Sequence, residues 1–71
     1  MNDYFYKELG MRIAEKRKAQ KLSQEQLAEL SGLSRNYIGK IERAEKKISL
    51  DSLRRIASAL NCHAHELIEV L

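Results

Sequence analysis

Between Leu22 and Glu42 the chain carries side chains suited to hydrogen-bonding nucleic acid, spaced so that they share one side of a helix. At about 100° per residue, Arg35, Asn36, Gly39, Lys40 and Arg43 fall within one arc, and Ser34, Ile38, Ile41 and Glu42 fall within the opposing one. The chemistry open to the first set is base reading. A guanidinium such as Arg35 offers a fork to guanine, an amide such as Asn36 pairs with adenine, and Lys40, one turn on, reaches a guanine or a phosphate. Each good pair discriminates by about 1–3 kcal/mol. Gly39 stands in the middle of the polar arc, where glycine costs a helix about 1 kcal/mol relative to alanine. A close approach by a groove wall or a base methyl is its expected role, and a neutral surface glycine is the competing reading.

Such a face must be aimed by other elements, and the apolar spacing predicts five helices. A first helix over 6–20 turns Tyr6, Leu9, Gly10, Ile13 and Ala14 inward. Arg17 continues that stripe, and Glu42 closes the inward arc of the third helix. Two unpaired charges in a core would be costly, so Arg17 and Glu42 are expected to pair. Ser23 with Gln26 is a capping-box signature opening a second helix, with Leu27, Ala28 and Leu30 inward. Ser31-Gly32 ends it, Leu33 plugs the corner, and Ser34 caps the third helix. After a basic connector over 43–47, Ser49 caps a fourth helix with Leu50, Leu53, Ile56, Ala57 and Leu60 inward, and Asn61 suits its exit. A last helix from about residue 64 presents Ala64, Leu67, Ile68 and Leu71 at the same spacing, with Val70 adding apolar surface beside them.

The bulk properties fit a small all-α protein. Its 71 residues predict one domain over 1–71, with residues 1–5 as a candidate mobile segment ahead of the first helix. A chain this short buries only roughly 60% of its unfolded surface, so oligomerisation would help it. It is 44% apolar and 32% charged, with three glycines and no proline. The net charge of +3 is uneven: residues 1–22 hold six basic and three acidic side chains, and 34–49 hold five basic and two acidic. Cys62 is the only cysteine, so no internal disulfide forms, and neither a signal peptide nor a membrane-spanning run is present. The cytoplasm is the expected compartment.

Competing chemistries find little support. Cys62-His63-x-His65 invites a metal reading, but a structural site wants four ligands and the chain has one cysteine and two histidines. Neither metal nor cofactor is expected. Ser23, Ser34 and Ser49 are accounted for as caps, and no nucleophile-base pair or phosphate loop remains, so an enzyme is not expected. The Tyr4-Phe5-Tyr6 cluster suits a cover for the core or for a partner chain better than base stacking.

Taken in order, Arg17, Leu22-Ser23-Gln24-Glu25, Leu27-Ala28, Gly32-Leu33-Ser34, Tyr37-Ile38, Ile41-Glu42-Arg43, Ser49-Leu50 and Ile56-Ala57-Ser58-Ala59-Leu60 resemble the XRE family of helix-turn-helix regulators, the lambda-repressor-like group, from about residue 9 to residue 67. The resemblance implies a five-helix all-α domain with the helix-turn-helix in helices 2 and 3, whose Arg35, Asn36 and Lys40 face the bases. It implies that Gln24 contacts phosphate at the start of helix 2, and that Tyr37, Arg43 and Lys46 flank the phosphates, with Ser34 and Lys47 beside them. It also implies the buried Arg17–Glu42 pair. Tyr37 lies at the boundary of the polar arc, where packing against the scaffold is equally open.

The short chain, the Arg35-Asn36-Tyr37-Ile38 run and Ile41-Glu42-Arg43 look like the controller proteins of restriction-modification systems. Family readers often carry glutamine in helix 3 where this chain has Arg35 and Asn36, so their base contacts do not transfer. The resemblance makes the expected function transcription regulation, as a repressor or other regulator, through a homodimer on double-stranded DNA with half-sites about 34 Å apart. Leu67, Ile68, Val70 and Leu71 are the candidate dimer surface, and no small-molecule effector is expected. The rival expectation is an antitoxin-like protein-interaction module that binds DNA only secondarily.

Overall fold

Three serines start three of the helices. The side-chain oxygens of Ser23, Ser34 and Ser49 accept hydrogen bonds from the backbone N–H groups of Gln26, Tyr37 and Ser52 at 3.0, 3.0 and 3.1 Å. Gln26 completes the box by accepting from the Ser23 N–H at 2.8 Å. Each cap satisfies a donor that the helix itself cannot, worth about 1 kcal/mol. In the computed structural model, which describes residues 3–68, the helices are α1 (Asp3–Ala19), α2 (Gln24–Ser31), α3 (Arg35–Glu42), α4 (Leu50–Ala59) and α5 (Ala64–Ile68). The described residues form no strand.

One turn geometry ends the first four. Lys21, Gly32, Ala44 and Asn61 all take left-handed backbone, with φ of 59°, 74°, 59° and 61°. The next residue's N–H then returns to a carbonyl in the last helical turn: Leu22 to Arg17, Leu33 to Ala28, Glu45 to Lys40 and Cys62 to Ala57, at 2.7–3.1 Å. Gly32 and Asn61 are residue types that suit this turn. Lys21 and Ala44 adopt it despite their Cβ atoms, and nothing in the local sequence marks them.

The helices close a circuit in which α1 packs on α3, α3 on α2, α2 on α4, α4 on α5 and α5 on α1. Leu9, Ile13, Leu27, Ala28, Ile38, Ile41, Leu53, Ile56, Ala57, Leu60 and Leu67 fill the centre. The residues just past α1 and α4 are tied by Gln20, whose Nε2 donates to the Leu60 carbonyl at 2.7 Å.

Four expectations change. The first helix begins at Asp3 rather than Tyr6, and Phe5 within it packs on the core. Leu30 is exposed; Ser31 takes the inward place in its stead, its hydroxyl donating to the Ala28 carbonyl at 3.2 Å so that no polar group is left unpaired. Leu50 occupies the first position of α4, where the stripe runs past the end of the core and leaves it 84% exposed. Leu67 is wholly buried, because five-residue α5 closes the core with its single inward turn. It is unavailable as dimer surface. Ile68 is half-buried against the same core, and Val70 and Leu71 lie outside the described residues.

Gly10 is the point where α1 comes close to α3. A Cβ there would strike the Ile41 carbonyl oxygen and stand 2.7 Å from that of Glu42, so α1 and α3 meet backbone to backbone. Gly10→Ala tests this, because in an open helix the change adds about 1 kcal/mol of stability. Here overpacking against rigid backbone should reverse the sign, with a net loss of about 1–3 kcal/mol in urea denaturation. A more stable Gly10→Ala protein would show that the two helices separate easily.

Candidate nucleic-acid interface

The helix pair α2–α3 is fixed from below by one carboxylate. Glu42, on the last turn of α3, accepts from Arg17 Nε at 2.7 Å through Oε2, and from Arg17 Nη2 at 3.1 Å and Gln24 Nε2 at 3.0 Å through Oε1. Arg17 Nη1 also donates to the Leu22 carbonyl at 2.7 Å. The pair is over nine-tenths buried, with side-chain exposures of 9% for Arg17 and 6% for Glu42. Both charges are thus paired and hydrogen-bonded, as burial requires. The pairing expected from the two inward stripes is present, and it joins α1, α2, α3 and the α1–α2 turn.

Gln24 therefore has two demands on it. A carboxylate can only accept, so the amide must turn its nitrogen to Glu42. The second Nε2 hydrogen makes no hydrogen bond among the described residues, so the amide keeps one donor for the phosphate contact expected of Gln24, while the Gln26 N–H at the same helix end is already taken by Ser23.

On the opposite side of α3, Ser34, Arg35, Asn36 and Lys40 are all exposed, and the side chains of Arg35, Asn36 and Lys40 make no hydrogen bond among the described residues. Tyr37 is half-buried and packs against the core, so it contributes to the scaffold as well as to the rim. Lys46 is exposed. Lys47 lies back toward α1, with Nζ 5.8 Å from the Tyr6 ring centroid, in cation–π range. Tyr6 in turn meets Phe5 edge-on at 5.2 Å, so this end of the aromatic cluster braces the connector after α3.

Gly39 differs from the open position expected of it, and Arg43, exposed as expected, is not free. Gly39 is buried, and its cover is the Arg43 guanidinium: a Cβ on Gly39 would lie 3.0 Å from Arg43 Nη1. Arg43 is itself held by Glu45, with Nε donating to Oε2 at 2.8 Å and Nη2 to Oε1 at 3.2 Å. The hydrogen bonding lowers the Glu45 carboxyl below its ordinary range and raises the Arg43 guanidinium, so both stay charged at neutral pH. Sequence spacing gave no hint of Glu45, because residues two apart do not face each other on a helix. The left-handed turn at Ala44 brings them together.

Away from this face, Cys62 is half-buried and burial pushes its thiol pKa up, leaving a poor nucleophile. His63 and His65 are exposed and stack on each other at 5.5 Å. No described helix is long and apolar enough to cross a membrane.

The helix-turn-helix family HTH_3 matches residues 13–67. The chain is 45% identical over 60 residues to the control protein C.SmaI of Serratia marcescens, covering 84% of this chain and 71% of that one. Over an equal length it is 42% identical to the immunity repressor of Bacillus phage phi105, of which it spans 42%. Among solved structures, the restriction-modification controller protein C.AhdI from Aeromonas hydrophila superposes with a TM-score of 0.86 at 44% identity, over 87% of this chain and 94% of that one. The P22 c2 repressor, solved with a synthetic operator, gives 0.79 at 31% identity, over 86% and 92%.

The Glu42 network sets a clear stability test. A domain of this size has about 4–11 kcal/mol in total, and Glu42→Ala leaves Arg17 buried without its partner, at a cost of about 3–5 kcal/mol. Urea denaturation should therefore find Glu42→Ala largely unfolded at low denaturant. The paired change Arg17→Met with Glu42→Leu should recover most of that loss, and failure to recover would mean the network stabilises the fold beyond charge neutrality.

Proposed function

The chain belongs to the helix-turn-helix family HTH_3, and we propose on that premise that it is a transcriptional regulator that reads a two-fold-related double-stranded DNA operator as a homodimer. The carrying observation is the polar face of α3: Arg35, Asn36 and Lys40 stand exposed on a helix anchored through Glu42 to both α1 and α2. That is the arrangement a helix needs to enter a major groove, with donors outward and the angle fixed from behind. Arg35, Asn36 and Lys40 take base edges in this reading, whereas Gln24, Ser34, Tyr37, Arg43, Lys46 and Lys47 set the register on phosphate. Double-stranded DNA suits this face because a helix fits its major groove but not that of A-form RNA.

The family is one of regulatory proteins rather than enzymes, and the similarity to two control proteins supports a controller-type autoregulator working in the cytoplasm. A single α3 spans too few base pairs for genome-scale selectivity, which is the argument for two copies and half-sites about 34 Å apart. With Leu67 in the core, Ile68 is the one of the expected contact residues that the described residues leave partly exposed for a second copy.

Selection from a random duplex pool followed by binding measurements against salt tests the reading. Selected duplexes should show half-site symmetry. Arg35→Ala should flatten preference at one position of each half-site, at about 1–3 kcal/mol, while Lys46→Ala should weaken all duplexes alike and reduce the salt slope by about one. Binding indifferent to both sequence and the Arg35 change would instead favour a protein-interaction module.

A further inference from the structure

The geometry points to Glu45 as a positioning residue that presents one edge of the Arg43 guanidinium to paired acceptors on DNA, with Gly39 as the seat that lets the guanidinium lie there. This rests on the operator-reading function proposed above. A guanidinium has two forks, one along Nε and Nη2 and one across Nη1 and Nη2. Glu45 occupies the first, with both carboxylate oxygens engaged at 2.8 and 3.2 Å. The second fork shares Nη2, which keeps one hydrogen beyond the bond to Glu45, and its other nitrogen, Nη1, lies beside Gly39 with no protein hydrogen bond among the described residues. Its match is a pair of acceptors side by side, either O6 and N7 of guanine or two phosphate oxygens.

Backbone bonds fix the carboxylate where this requires it. The N–H of Ala44 returns to the Ile41 carbonyl at 3.1 Å, and that of Glu45 to the Lys40 carbonyl at 2.7 Å, around left-handed Ala44. Glu45 is thereby folded back along the helix it follows. Gly39, one turn before Arg43, has no Cβ to push the guanidinium outward. The close neighbour that this glycine accommodates is thus the protein's own arginine. A carboxylate on a DNA-binding face otherwise opposes binding by repelling phosphate, and this gives the proposal its sign.

The experiment measures operator affinity for the full chain, using the duplex selected as above and a scrambled duplex. Variants are Glu45→Gln, Gly39→Ala and Arg43→Ala, with the two doubles that combine Arg43→Ala with each of the others. Glu45→Gln removes a negative charge yet should weaken operator binding about tenfold, the scale of one lost bidentate contact. Gly39→Ala should weaken it similarly, and neither change should have further effect once Arg43 is alanine. Loss confined to the selected duplex, and absent from one changed at a single guanine of each half-site, identifies guanine as the acceptor. Loss shared by the scrambled duplex, with a salt slope smaller by about one, identifies phosphate. Tighter or unchanged operator binding by Glu45→Gln would overturn the proposal, as would equal losses in the presence and absence of Arg43. If the wild-type chain shows no duplex preference, the operator-reading function itself fails. Preference in the wild type with no effect of Glu45→Gln removes only the role of Glu45. Thermal melts of each variant check that the fold is retained.

Discussion

The arrangement of this domain depends on one buried carboxylate. Glu42 receives three hydrogen bonds, two from Arg17 on α1 and one from Gln24 on α2, while standing on α3. Three helices therefore have their relative positions decided within hydrogen-bond tolerance at a single point. Hydrophobic contacts alone are non-directional, and helices packed only by them tolerate repacking before they lose stability. The pair is a weak source of net stability, since desolvating both charges offsets most of their attraction. Its contribution is directional, because every alternative packing of α1, α2 and α3 leaves a charge in the interior without its partner.

Gly10 supplies the steric half of the same constraint. It lets α1 approach the carbonyls of Ile41 and Glu42 at backbone distance, which brings the end of α1 within reach of the Glu42 side chain. A larger residue there would hold α1 away from α3 and stretch bonds already spanning from 2.7 to 3.1 Å. Close approach and ion pair thus need each other, and both sit on the side of α3 facing away from its exposed polar residues. A change on the inward side alters the outward one only by tilting the helix.

Much of this was legible in the sequence because it is written in local chemistry. The serine caps follow from residue type at a helix start, and Gly32 and Asn61 mark chain reversals that their backbones favour. The Arg17–Glu42 pair followed from two charges extending two apolar stripes. The misreadings share a cause, which is that periodicity reports a face but not where the neighbouring element stops. Leu30 and Leu50 obey the spacing, yet one gives way to Ser31 and the other overhangs the core. Leu67 has the apolar type of an interface residue, yet closing the ring of helices uses it in the core. Gly10 did carry a signal, since a glycine on an inward stripe implies helix contact. Ala44 carried none: its left-handed backbone is imposed by the return bonds around it.

The polar face of α3 divides into loose and anchored donors, and the division follows from position along the helix. Arg35, Asn36 and Lys40 are exposed and their side chains make no hydrogen bond among the described residues, so ordering them against a ligand costs about 0.5–1.5 kcal/mol for each long side chain. Arg43 stands where the chain leaves the helix, and the turn that reverses the backbone also delivers an acceptor to it. Part of its ordering is completed in the folded protein. Lys47, against the Tyr6 ring, is anchored by the same logic on the other side of the connector. In the operator-reading function proposed above, this division would let the rigid inward network set the approach while the loose donors of α3 adjust to the sequence and Arg43 meets it already oriented.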